Sequence, residues 1–305
     1  MTPDISYTDR ADTSVRPSWR ANALYLNDEH RRVFDETKDI PGWQAYGDTY
    51  KLYEMAYFVG DVILELGIYG GRSAVVELKG ALSNPERALP PQYFGLDLDP
   101  KAIRRGYDSL KAASLAERAL LYRGTIADFA QEFAIQPTMV FVDADHTYEN
   151  VKKDLAVLSM ILAPGVTVLC HDYTNVENDT GDYGVRRAAT EWEQSGYVEF
   201  RGIFGCAALF VTTAKCAGAP AARMSDADFE ARRDALLRAY GVLPPAPPPA
   251  AANDFWRWRA GELERELAEV KASRAYRLAG SLGRAAGKLK TLVPGRARRT
   301  GPKAG

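Results

Sequence analysis

Long apolar runs are missing from this chain of 305 residues. No uninterrupted stretch approaches the ~18 residues that a membrane span needs. The opening segment MTPDISYTDRADTSVRPSWR has no apolar core of the secretory kind. Cysteine is scarce: Cys170, Cys206 and Cys216 are the only three, with neither metal-site nor disulfide spacing. They read as packing residues, and a reducing cytoplasm is the expected compartment. No internal repeat is present, and no tight Gly-x-Gly-x-x-Gly turn, which weighs against a nicotinamide-dependent dehydrogenase.

Charge is scarce only in sum. The net charge is −1, but ten Lys or Arg residues and no acid lie from Lys271 onward, which leaves residues 1–270 at −11. An acidic body argues against nucleic acid as a partner. The tail is basic. Trp256, Ala260, Leu263, Leu267 and Val270 follow helical spacing, and Leu278, Leu282, Ala285 and Leu289 make a second stripe. Such a stretch suits an anionic membrane surface or a partner helix, or is simply solvated.

What is present is a regular alternation. Apolar strand-type runs occupy Val62–Leu66, Tyr93–Leu96, Ala119–Tyr122, Thr138–Val142, Val166–Cys170, Val198–Ile203 and Ala207–Val211. Helical patterns fall between them at Ser73–Ala81, Pro100–Ala113, Thr125–Phe133, Asn150–Leu162 and Val185–Ser195. This order predicts an α/β fold, a doubly wound, mostly parallel seven-stranded sheet. Only Phe204–Gly205 separates the last two runs sharply, so the sheet should end in an antiparallel hairpin. Helices are also expected at Asn27–Thr37, Asp48–Phe58 (Leu52, Met55, Ala56 and Val59 inward) and Asp226–Tyr240. The expected division is an arm with a short helix (1–40), the α/β domain (41–216), a helix and Pro/Ala linker (217–252) and a helical tail (253–305).

In a doubly wound sheet, ligands sit at the carboxyl ends of the strands. The first strand carries Glu65 and opens into Gly67, Gly70 and Gly71, with Ser73 starting a helix, an arrangement that lets backbone N–H groups approach a ligand. The second ends at Asp97, placed to accept both hydrogen bonds of a ribose diol. The third ends near Gly124 and Thr125. The fourth ends Asp143-Ala-Asp145-His146-Thr-Tyr148, and the fifth His171-Asp172-Tyr173. Asp143 and Asp172 end adjacent strands and could share a hard cation. A third ligand at His171 would shift preference from magnesium toward manganese or another transition ion. His30, the remaining histidine, reads as solvated. Tyr148, Tyr173 and the 43–53 segment either line an acceptor pocket or pack at the rim. Arg72, Arg186 and Arg187 read as surface or helix-end charges.

The combination ELGxxxGxS, GLDLDP, VFVDADHTYENVKKDL, APG and HDY resembles class I S-adenosylmethionine-dependent methyltransferases. Within them it is similar to the metal-dependent group of macrolide deoxysugar O-methyltransferases and cephalosporin-hydroxylase-like proteins. The resemblance runs from about Pro41 to Thr213. It implies a Rossmann-like methyltransferase domain in which Glu65 and the turn Gly67–Gly71, with Ser73, hold the methionine part of S-adenosylmethionine. Asp97 would bind the ribose, Gly124 and Thr125 would flank the adenine, and Asp143 would border the cofactor. Asp143, His171 and Asp172 would hold a divalent metal, magnesium or manganese, and His146 would be the general base. His171 stands where those relatives commonly have an acid.

The acceptor implied is a sugar hydroxyl of a glycan, nucleotide-sugar or glycosylated metabolite. The tail pattern SRAYRLAGSLGR resembles segments on bacterial enzymes of surface-polysaccharide biosynthesis, which favours a site near the inner membrane face. A phenolic or other small secondary metabolite is the alternative acceptor, and a non-catalytic cofactor-binding scaffold the alternative role. Homo-oligomer formation is left open by the sequence.

Overall fold

The computed structural model describes residues 28–219, 223–245 and 260–265. The chain divides into two units, 1–244 and 245–305. In the first, α1 (Asp28–Thr37) and α2 (Tyr46–Val59) precede the alternation β1 (Val62–Leu66), α3 (Arg72–Leu82), β2 (Gln92–Asp97), α4 (Pro100–Ala112), β3 (Ala119–Arg123), α5 (Ile126–Glu132), β4 (Met139–Val142), α6 (Tyr148–Ile161) and β5 (Thr167–Cys170). A short α7 (Glu177–Thr180), α8 (Val185–Gln194), β6 (Val198–Phe204), β7 (Ala207–Thr212) and α9 (Asp226–Ala239) follow. In the second unit residues 260–265 are helical. The arm before residue 28, the Pro/Ala linker from residue 246 to 252 and the expected tail other than 260–265 lie outside the described residues. Among those described, no helix is long and apolar enough to cross a membrane.

The seven strands form one sheet in the order β3-β2-β1-β4-β5-β7-β6. As expected, it is doubly wound and parallel except for the terminal hairpin, where β7 pairs antiparallel with both β5 and β6. Strands β1, β4 and β5 are buried along their whole length because helices cover both faces. The edge strand β6 instead alternates buried and exposed positions up to Phe200, as a strand with one solvated face must.

Consecutive strand residues point to opposite faces, so each strand feeds two cores. Leu64, Phe94, Val140 and Val168 join Phe129, Trp192 and Phe229 on one side. Ile63, Tyr93, Phe141 and Leu169 join Tyr50, Leu52 and Leu78 on the other. Phe229 meets the ring of Phe94 edge-on at 5.4 Å. Thus α9 completes a core of the α/β domain, and the boundary expected at residue 216 cuts the compact unit short.

Helix starts are specified locally. Asp99 accepts from the N–H of Lys101 with Pro100 in the first turn, and Thr125 and Asp128 cap each other reciprocally. Helix α2 departs from its amphipathic expectation. Every residue from Gly47 to Ala56 is buried, including Asp48 and the ion pair of Lys51 with Glu54 at 2.9 Å.

Register positions the site. Leu66 lies opposite Leu96 and Val142, and Val142 lies opposite Cys170. The next residue of each strand is therefore Gly67, Asp97, Asp143 and His171, side by side along one edge.

Phe94 packs edge-on against Phe129, Phe133 and Phe229. Truncation by Phe94→Ala should cost about 3–5 kcal/mol, read as a fall in the urea midpoint. A loss below about 1 kcal/mol would show that α9 does not share this core.

Candidate active site

Two adjoining cavities open at the strand ends. The first, of about 570 Å³, is lined by Gly67, Asp97, Gly124, Thr125, Asp143 and Asn150, among others. The second, of about 510 Å³, lies between the Pro41–Gln44 segment and the ends of β4 and β5, and includes His146, His171 and Asp172. Gly67, Tyr69, Asp143 and Ala144 border both. The site is thus a pair of compartments that meet at Asp143.

The glycine turn is shaped by its neighbours. Gly67 has φ 92°, and a Cβ there would stand 2.1 Å from the carbonyl oxygen of Asp143, so only glycine fits. Asp97 Oδ2 accepts from the N–H groups of Ile68 and Tyr69 at 3.0 and 3.1 Å. The carboxylate expected to meet a ribose therefore also holds the turn, and it still lines the first cavity.

Several expected cofactor residues are placed otherwise. Glu65 is fully buried and lines neither cavity; it accepts from the hydroxyls of Ser73 and Tyr93. It shares the sheet face of Ile63 rather than the strand end, so it anchors the start of α3 from beneath. Burial pushes its carboxyl up to about 8, against the lowering effect of those two hydroxyls. The buried Glu77 beside it is raised too, by burial and by Glu65. Gly70 and Gly71 are packing contacts: a Cβ would meet the Pro41 carbonyl at 2.0 Å or Gly106 Cα at 2.9 Å. Ser73 borders the second cavity while its hydroxyl is committed to Glu65.

The three expected metal ligands converge. His171 Nδ1 stands 3.1 Å from Asp143 Oδ1 and 3.3 Å from Asp172 Oδ1. This nitrogen is buried, with no hydrogen bond of acceptable geometry among the described residues. Such spacings are near the ~3 Å that separates neighbouring oxygen or nitrogen ligands around a six-coordinate magnesium-sized ion. A buried, unpaired imidazole nitrogen aimed between two carboxylates fits a divalent cation. Asp172 adopts φ 56°, a conformation that costs a non-glycine residue about 1–3 kcal/mol and gathers at functional sites.

His146 joins the same cluster, its Nε2 2.9 Å from Asp172 Oδ2 and 3.6 Å from Asp143 Oδ1. Its ring stacks on Tyr183 at 4.5 Å. The two aspartates raise the His146 pKa to about 9, outweighing partial burial. Burial lowers the pKa of His171, yet Asp143, Asp172 and Asp48 together hold it well above the ordinary histidine range. Conversely, both histidines hold Asp172 below the usual carboxylate range despite its burial.

Other residues reach the site without being expected there. Asp48 is fully buried, and its carboxylate accepts from the N–H groups of Ala45, Cys206 and Ala207 at 2.8–3.2 Å. It stands 3.5 Å from His171 Nε2. Cys206, expected as packing, lies 3.3 Å from the same nitrogen. Arg72, expected as a surface charge, is only 6% exposed, lies over the Phe34 ring at 5.0 Å and borders the second cavity.

Tyr148 and Tyr173 are rim packing. The first binds Glu191 at 2.7 Å and the second Thr190 at 3.2 Å, and neither borders a cavity. Arg186 fastens the α7 loop through Asp179 and the Tyr173 carbonyl, and Arg187 lies over Tyr148 at 4.0 Å. Only an acid on helix α2 and a cysteine beside the hairpin glycine were visible as signals for Asp48 and Cys206.

Residues 64–173 match the family model described as "Methyltransferase domain". The match begins in β1 and ends with the His171-Asp172-Tyr173 triplet, so it covers the lining of the first cavity and only part of the second. Over this segment, about a third of the chain, the protein is similar to methyltransferase domains. A search of curated proteins gives no match. Among solved structures, the chain is similar to the O-methyltransferase from Bacillus cereus in complex with SAH, at 16% identity and TM-score 0.49, over 61% of this chain and 91% of that one. It is also similar to the O-methyltransferase TomG from Streptomyces achromogenes, involved in tomaymycin synthesis and bound to SAM, at 18% identity and TM-score 0.48, over 66% and 96%. These are likenesses of outline.

The buried Glu65 generates a pH prediction. Its carboxyl is neutral in the folded protein up to about pH 8, against an ordinary value of 4.5. The unfolded chain therefore releases this proton first, and stability drains away as pH rises between those values. The stability of the wild type relative to Glu65→Gln should fall steadily from about pH 5 to pH 8 in thermal or urea unfolding. A pH-independent difference would contradict the buried, protonated state.

Proposed function

We propose that the protein is a divalent-metal-assisted O-methyltransferase that methylates a sugar hydroxyl of a glycan, nucleotide-sugar or glycosylated metabolite. One observation carries the reading: donor and acceptor cavities meet at Asp143, with His146 on the acceptor side of that junction. S-adenosylmethionine would lie in the first cavity, with Asp97 toward the ribose and Gly124 and Thr125 beside the adenine. Its methyl group would then face the second cavity past Gly67.

Methyl transfer needs the acceptor oxygen in line with the sulfonium carbon. The C–O bond forms as the S–C bond breaks, the sulfur keeps the electron pair, and the acceptor's proton passes to Nε2 of His146. Tyr183 holds the imidazole plane by stacking; Nε2 faces Asp172 and Asp143, so it would be free to take that proton only where those carboxylates are engaged by a cation instead. Asp143, His171 and Asp172 would hold the divalent cation. When bound, that ion supplies positive charge that lowers the pKa of an acceptor hydroxyl and offsets the carboxylates that otherwise keep His146 protonated. Trp43 and Tyr183 offer flat walls to an acceptor, and aromatic faces suit a phenol as well as a sugar ring. A phenolic acceptor is therefore the second reading. The basic tail, outside the described residues, would bring the reaction to the inner membrane face or to a partner helix.

Labelled S-adenosylmethionine, with magnesium or manganese and a panel of nucleotide-sugars, glycans and phenols, tests this directly. Label should pass to a sugar acceptor, and His146→Ala should slow turnover about 10²–10⁴-fold while leaving cofactor binding intact. Near-wild-type turnover in His146→Ala would remove the base assignment. Transfer to phenols alone would favour the second reading, and full activity after exhaustive chelation would remove the metal.

A further inference from the structure

Behind the acceptor cavity, His171 turns its other ring nitrogen toward a separate set of donors. Nε2 lies 3.3 Å from Cys206 Sγ and 3.5 Å from Asp48 Oδ2, and that sulfur and oxygen are 3.6 Å apart. The three donors come from α2, the end of β5 and the β6–β7 turn, and form a near-equilateral triangle. Its centre is about 2.0 Å from each atom, close to Zn–N and Zn–O lengths of about 2.0–2.2 Å, and a small rise out of the plane accommodates Zn–S at about 2.3 Å.

We propose that Asp48, His171 and Cys206 form a second metal site, selective for zinc or a similarly thiophilic divalent ion and distinct from the Asp143–Asp172 position. A thiolate, an imidazole and one carboxylate are a zinc-type donor set, whereas hard cations take oxygen-rich shells.

The surroundings are built for such an ion. Asp48 and His171 are buried. The N–H of Cys206 donates to Asp48 Oδ1 at 2.8 Å. Gly205 has φ 61°, and a Cβ there would stand 2.2 Å from the same oxygen, so the hairpin tip is pressed onto Asp48 and carries the thiol with it. Asp172 Oδ1 also lies 3.6 Å from Cys206 Sγ, and the other ring nitrogen, Nδ1, faces Asp143 and Asp172 at 3.1 and 3.3 Å. A carboxylate at that distance is the partner that orients a metal-bound histidine.

Charge also balances. Cys206 loses its proton to solvent as the S–Zn bond forms, and the two positive charges of zinc then meet one thiolate and one carboxylate. The ring can thereby ligate one ion at a time. Zinc at Nε2 leaves a proton on Nδ1, so a filled zinc site weakens His171 as a ligand on the catalytic side. This coupling is reciprocal between the two ions.

The site is tested by metal binding and does not depend on methyl transfer. Metal-stripped full-length protein titrated with cadmium should develop an ultraviolet thiolate-to-metal charge-transfer band equivalent to one thiolate per chain. The band should persist in Cys170→Ser, Cys216→Ser and Asp143→Asn and vanish in Cys206→Ser. Zinc affinity, by competition with a chromogenic chelator, should fall about 10-fold or more in Asp48→Asn. Zinc should also shield Cys206 of the wild type from alkylation in a peptide map, a readout that needs no variant to fold. A band that survives Cys206→Ser, loss of the band in Asp143→Asn, or unprotected Cys206 would overturn the proposal.

Discussion

The contact between Gly67 and Asp143 is the constraint on which the site depends. The carbonyl of Asp143 occupies the space that a side chain at residue 67 would need, and its N–H donates to the Leu66 carbonyl at 2.8 Å. The turn after β1 is therefore fitted to the turn after β4, and residues of both turns, Gly67, Tyr69, Asp143 and Ala144, border the two cavities together. Parallel register does the rest by bringing Asp97 and His171 to the same edge. The two cavities meet because β1 lies between β2 and β4 in the sheet.

Buried charge is the second theme. Asp48, Asp143 and Asp172 crowd around two imidazoles, while Glu65 and Glu77 lie buried beneath the turn. Burying an acid costs heavily unless hydrogen bonds, opposite charge or protonation offset it. Three remedies are in use. Asp48 accepts three backbone N–H groups, Glu65 is neutralised and hydrogen-bonded, and Asp143 and Asp172 face the histidines. The last pair thus relies on titratable partners, whereas Asp48 is held by backbone groups and Glu65 by protonation.

The strands were legible because parallel strands covered on both faces read as short, nearly continuous apolar runs. The strand-end residues Asp97, Asp143, His146, His171 and Asp172 were legible because topology alone sends them to one edge. Glu65 was misread for a reason that period-two alternation explains: it lies between Leu64 and Leu66, so it shares the face of Ile63 and points under α3, away from the crevice. Asp48, Arg72 and Cys206 were hidden because their placement depends on α2 and a hairpin tip packing against strands far away in sequence. No local pattern reports such contacts. The short α7 was equally hidden, since four residues carry no periodicity.

Calorimetric titration of the full-length protein with S-adenosylhomocysteine bears most directly on the central claim, that the first cavity is a cofactor site organised by Asp97. One molecule should bind per chain. Asp97→Ala should weaken it about 10–100-fold, the loss expected for hydrogen bonds to a charged acceptor. No binding to the wild type, or equal binding to the variant, would contradict the account.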